Sequence, residues 1–260
     1  FLQRAYAIDT DGLSDDDRLN HELFRRSLQD RVDRFKYNGH LIPFYQRGGV
    51  QNLDSNTNGL RFVTVKDYED WLARLGKIDV VIGQTIDLAD AGIKAGLVSP
   101  RLLMQRIPNQ IAAQLVDDAE ASPFFKVFAE IPDTIPEADQ QRLRAEARST
   151  IEQTVLPAYR ELNEYFNDTY LPASRETIGL SELPNGREWY ELRARQFTTT
   201  QMTPDEIHRV GLEEVARIRG EMQKIIDDLD FGGSFQDFLT FLRTDPQFYY
   251  DNPDDLYQAY

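Results

Sequence analysis

Cysteine is absent from the 260 residues. That absence excludes disulfides, thiolate nucleophiles and cysteine-held metal sites within this stretch, and it is compatible with any compartment. Histidine is scarce: imidazole chemistry has to come from His21, His40 or His208. No apolar run approaches the ~18 residues that a membrane-spanning helix needs, and no signal peptide is visible within a sequence that opens on Phe1 rather than Met, which leaves a removed upstream segment open. Strand-like alternation is confined to Leu60–Val65, and no repeat period stands out. Basic charge is the minority, with 29 Lys and Arg against 44 Asp and Glu, for a net charge of -15. Acidic runs sit at Asp15-Asp16-Asp17, Asp117-Asp118, Asp227-Asp228 and Asp254-Asp255. Such a surface repels phosphate backbones and anionic headgroups, so neither nucleic acid nor an anionic membrane is an expected partner.

What is present is helical periodicity. A chain with 41% hydrophobic and 28% charged residues is a folded globular protein rather than a disordered one. Ser14 with Asp17 opens a helix carrying Leu19, Leu23, Leu28, Val32 and Phe35, expected on one face and ended by Asn38-Gly39. Residues 39 to 60 hold Pro43, Gly48-Gly49 and Asn58-Gly59 and read as a long irregular loop. Thr64-x-x-Asp67 starts a helix with Tyr68, Trp71, Leu72 and Leu75, stopped at Gly76. Ile78, Ile82, Ile86, Ala89 and Ile93 form the next stripe, closed by Gly96. Ser99-Pro100 is expected as a cap with proline at the first helical position, and Pro108 as a kink or split. Ser122-Pro123 begins a short aromatic turn.

The longest pattern runs from Pro136 through Leu143, Ala147, Ile151, Val155, Ala158, Leu162, Tyr165 and Thr169, with a kink expected at Pro157. A connection or hinge is expected at 171–186, and a helix from Arg187 to Phe197. The clearest start is Thr203-Pro204 with Glu206, followed by Ile207, Gly211, Val215, Ile218, Met222, Ile225 and Leu229 on one face up to Gly232-Gly233. Ser234 and Asn252 open two further helices, the last only about two turns long. The fold class is therefore all-α: an irregular multi-helix array with one long kinked helix and a long loop near residues 39–60. Residues 1–260 are expected to form a single helical unit, the N-terminal part of a longer chain.

Chemistry is sparse. His21-Glu22 begins like a zinc-peptidase helix, but Arg25 stands where the second ligand belongs and would repel a cation. His40 lies in the long loop, and His208 shares a face with Asp205 alone. Asp9-x-Asp11-Gly12 fails the register of a calcium loop. Gly48-Gly49 lacks the lysine and hydroxyl of a phosphate loop, and no nucleophile elbow exists. No catalytic and no metal-binding residue is assigned. The loop around Tyr45, Gln46, Arg47, Gly48 and Gly49 combines aromatic, cationic and glycine residues as ligand-facing loops do, and is the candidate substrate-binding segment. Arg47 offers the planar fork that suits a carboxylate. Aromatic residues are dense from Phe231 to Tyr260, where core packing is the simplest reading.

Several runs carry a resemblance: Leu41-Ile42-Pro43-Phe44 with Gly48-Gly49, Asp67-Tyr68-Glu69-Asp70-Trp71-Leu72, Ser122-Pro123-Phe124-Phe125 and Leu156-Pro157-Ala158-Tyr159. Phe197-Thr198-Thr199-Thr200 and Thr203-Pro204-Asp205-Glu206-Ile207-His208 continue it. Together they resemble the N-terminal half of the bacterial domain-of-unknown-function family number 885, over nearly the whole chain. The resemblance implies a helical zinc-metallopeptidase-like parent whose zinc helix lies in a C-terminal half, so zinc is implied there and no cofactor here. It implies the C-terminal half and a peptide substrate as partners, and a cell-envelope or secreted location, with the cytoplasm still open. On this reading the chain is a substrate-cleft scaffold that is not catalytic alone. The alternative is a self-sufficient helical binding module.

Overall fold

The computed structural model describes residues 1–260, and its regular elements are helices without a sheet. Contacts cluster into two compact units, Phe1–Gln196 and Phe197–Tyr260. Residues 171–186 lie inside the first. There Arg175 N donates to Ser99 O and Arg101 N donates to Arg175 O, and the Arg175 guanidinium holds the carbonyls of Val98, Thr177 and Gly179.

The first unit is organised around a continuous helical run, residues 137–173. Two π-helical turns interrupt its α-geometry, Ile151–Val155 and Phe166–Tyr170. Each precedes a proline, Pro157 and Pro172, which has no N–H to donate and whose ring crowds the preceding turn. The wider turn lets the helix pass both prolines. It also shifts the buried face. Leu143, Ala147, Ile151, Val155 and Leu162 are buried as the spacing implies, but further on Phe166 and Tyr170 are buried while Thr169 is exposed. The helices Val65–Leu75 and Ile78–Lys94 pack against this run. Trp71, Leu75, Ile82, Phe124, Phe128 and Tyr159 close one core with it, each fully buried side chain contributing about 1.5–3 kcal/mol of transfer free energy. A smaller cluster joins Leu97, Leu183 and Trp189, with Trp189 stacked on Tyr37 at 5.6 Å.

The capping signals act locally, as their i, i+3 spacing demands. Thr64 with Asp67, Thr203 with Glu206 and Ser234 with Asp237 form complete capping boxes, and Ser14 accepts from Asp17 N. The split expected at Pro108 is present, with Arg101–Met104 ending and Ile107–Ala112 beginning just before that proline. Two expectations differ. Ser99 is not a cap: its hydroxyl donates to Phe44 O at 3.2 Å, and the short helix Arg101–Met104 starts after Pro100 without a side-chain cap. Leu60–Val65 finds no partner strand. The helix Asp15–Phe35 buries none of its residues. Its apolar positions do not share one face, because the five-residue step from Leu23 to Leu28 turns the stripe by about 140° at 3.6 residues per turn.

The second unit holds the helices Pro204–Asp228 and Phe235–Thr244. Phe231 meets Phe238 at 5.1 Å and Phe241 at 5.4 Å, and Phe241 meets Phe248 at 5.3 Å. Ile226 is the one buried residue of the longer helix. The stripe Val215, Ile218, Met222, Ile225 and Leu229 is exposed along its length.

Candidate functional site

The loop after the first long helix is irregular in outline but tightly fastened. Phe44 is 1% exposed and meets Phe166 at 5.1 Å and Tyr170 at 4.7 Å, edge to face. Gly49 has φ +112, a conformation that side-chain-bearing residues rarely adopt. The buried Gln51 closes the turn by donating from Nε2 to Tyr45 O at 2.8 Å and Gly48 O at 2.7 Å. A 3₁₀ segment, Val50–Gly59, follows. Tyr159 OH donates to Val50 O at 2.6 Å, tying the loop to the central helix. Burial, and then the nearby Asp54 carboxylate, push this phenol above its ordinary pKa, so it stays a donor at physiological pH.

The other wall comes from the helix Ile107–Ala112 and the turn after it. Ile107 and Ile111 point into the core. Gln110 Nε2 donates to Gln46 O at 2.9 Å, and an Arg106 guanidinium nitrogen donates to Gln46 Oε1 at 3.1 Å. Gln114, 4% exposed, donates to Gln51 O at 3.3 Å and to Asp54 Oδ1 at 2.9 Å.

Between the walls lies an open groove of about 940 Å³. Tyr45, Arg47, Gly48 and Gly49 line it, joined by Asn52, Asp54, Ser55 and Asn56 from the 3₁₀ segment. Asn109, Gln110 and Gln114 face them. Of the five residues singled out in the sequence, four thus line one groove, while Gln46 braces it from behind through Gln110 and Arg106. Arg47 is exposed and makes neither an ion pair nor a hydrogen bond. The carboxamide residues were not legible as site residues. Their one signal is the i, i+4 spacing of Gln110 and Gln114 beside the buried Ile107 and Ile111.

Zinc, implied by the family resemblance, needs three or four converging donors. No group of three or more His, Asp or Glu side chains gathers in this chain. His21 Nε2 lies 2.8 Å from Ala5 O, and the Arg25 guanidinium sits 4.1 Å above the Tyr6 ring. His40 stacks on Phe35 at 5.2 Å, and His208 is exposed. These residues do not fit a zinc site.

Comparison with known proteins gives a family and a fold. The family model described as "Bacterial protein of unknown function (DUF885)" matches residues 1–260. No curated protein matches. A solved structure described as "The crystal structure of the putative lipoprotein from Colwellia psychrerythraea" is similar with a TM-score of 0.67 and 23% identity over 84% of this chain. The present chain spans only 38% of that protein's length.

Proposed function

The chain belongs to the bacterial family of unknown function DUF885, and from that premise we propose that it is a substrate-cleft scaffold of a peptidase-like envelope protein, without catalytic activity of its own. The observation that carries this reading is the groove: a rigidly held polar cleft with an unpaired guanidinium and a row of carboxamides. Carboxamides supply both a donor and an acceptor, which suits the alternating N–H and C=O groups of a peptide. The chemistry would be supplied by protein outside these residues. Two further observations agree. The apolar stripe on Pro204–Asp228 is what a helix presents to a covering partner, and the solved relative carries more than twice the length of chain. The relative's description as a lipoprotein is the support for an envelope location.

Two measurements test this. The 260-residue chain, supplied with zinc and a peptide substrate, is expected to show no hydrolysis above buffer; metal-dependent turnover would refute the scaffold role. Ile218→Glu is expected to leave the melting temperature of this chain within about 1–2 °C, as surface substitutions do, and to lower that of the protein as the cell makes it. Equal behaviour in both would show that nothing covers the stripe.

A further inference from the structure

The polarity of the groove follows from how its amides are committed. Gln110 Nε2 is spent on Gln46 O, and Gln114 Nε2 on Gln51 O and Asp54 Oδ1. These bonds fix which end of each carboxamide is which. The oxygens Gln110 Oε1 and Gln114 Oε1 are then both buried and without a donor. Buried acceptors are nearly always satisfied, and those left over call for an explanation. Both residues line the groove, so a ligand donor entering there would complete them. Asp54 adds a carboxylate whose Oδ1 alone is engaged, by Gln114. On the same loop wall as Asp54, facing Gln110 and Gln114, stands one cation without a partner, Arg47.

Resting on the proposed peptide cleft, and going one step beyond it, we propose that the groove binds a short zwitterionic peptide by its two ends. Arg47 receives the terminal carboxylate, while Asp54 with Gln110 Oε1 and Gln114 Oε1 receives the ammonium and the adjacent N–H donors. Other ligand classes fit less well. A neutral sugar answers neither charge. A phosphate suits Arg47 but meets Asp54 and the spare acceptors in a chain of net charge -15. A tripeptide spans roughly 10 Å when extended, which a groove of about 940 Å³ accommodates.

The test is calorimetric titration of the 260-residue chain with tri-alanine, its C-terminal amide, its N-acetyl form and maltotriose. The free zwitterion is expected to bind best, with amidation and acetylation each weakening Kd about tenfold, as loss of a charge-assisted hydrogen bond does. Arg47→Ala should weaken tri-alanine by the same factor and leave the amide unaffected. Asp54→Asn, which keeps an oxygen for Gln114, should do so for the ammonium end. Far-UV circular dichroism checks that both variants fold. If the amide and acetyl forms bind as well as the zwitterion, the end-recognition falls and the peptide cleft survives. If no tripeptide binds at millimolar concentration, or maltotriose binds in its place, both fall.

Discussion

Replacing Phe44 by alanine removes the ring that anchors the groove loop. The ring is 1% exposed and wedged edge-on between Phe166 and Tyr170. Truncating a buried Phe costs about 3–5 kcal/mol, the spread reflecting how far the site collapses. Collapse should be poor here. Phe166 and Tyr170 belong to a π-helical turn held by Pro172 beyond it, and the Phe44 carbonyl remains bonded to Ser99. The aromatic pairs, worth about 0.5–1.5 kcal/mol each, are part of that loss. About 4 kcal/mol is therefore expected. At roughly 2–4 °C per kcal/mol for a unit of this size, the first unit should melt about 8–16 °C lower. Thermal unfolding followed at 222 nm measures this, with urea titration as a check on the free energy. A loss under about 1 kcal/mol would refute the reasoning, because it would mean that residues 39–60 already open locally and contribute little to global stability.

Gly92→Ala should be destabilising by about 3 kcal/mol or more, since a Cβ there would stand 2.1 Å from Leu41 O and 2.9 Å from Leu97 O, both backbone atoms. Gly83→Ala in the same helix meets open space and should stabilise by about 0.5–1 kcal/mol; equal melting temperatures for the two variants would contradict this packing. Tyr159→Phe strips the donor from the Val50 carbonyl and should cost about 1–3 kcal/mol by urea unfolding, with no change sinking the loop-tethering role. Asp67 and Glu206 are held below their ordinary pKa, first by the backbone N–H groups of their cap residues, and Asp237 first by the Ser234 hydroxyl. A depressed folded pKa gives stability that is present above the unfolded value and lost as pH falls through the folded one. Melting temperatures should thus hold from pH 7 to pH 5 and fall below about pH 4. Thr203→Ala should move the Glu206 carboxyl upward in an NMR titration, and an unmoved carboxyl would show that the capping box does not set it.

The sequence by itself determined most of the long helices and those beginnings that carry a capping box. Capping boxes at Thr64, Thr203 and Ser234 act over three residues, so the information is contiguous in the chain. The all-α class followed from apolar spacing of three and four, and the 45–49 loop was singled out by its residue types before four of its five residues were found lining a groove. Which stripes are buried was not determined there. Ile82 and Ile218 follow the same periodic rule, yet one is fully buried and the other exposed, because periodicity specifies a face and not what lies against it. The registers of Phe166 and Tyr170 depended on two π turns whose cost is repaid only by core packing around them. The groove itself joins residues about Tyr45 to Asp54 with Asn109 to Gln114, some sixty positions apart. Hydrogen bonds between such distant segments exist only once the Ile78–Lys94 helix and the central helix have packed, since it is that packing, and no local preference, that brings the two walls within reach.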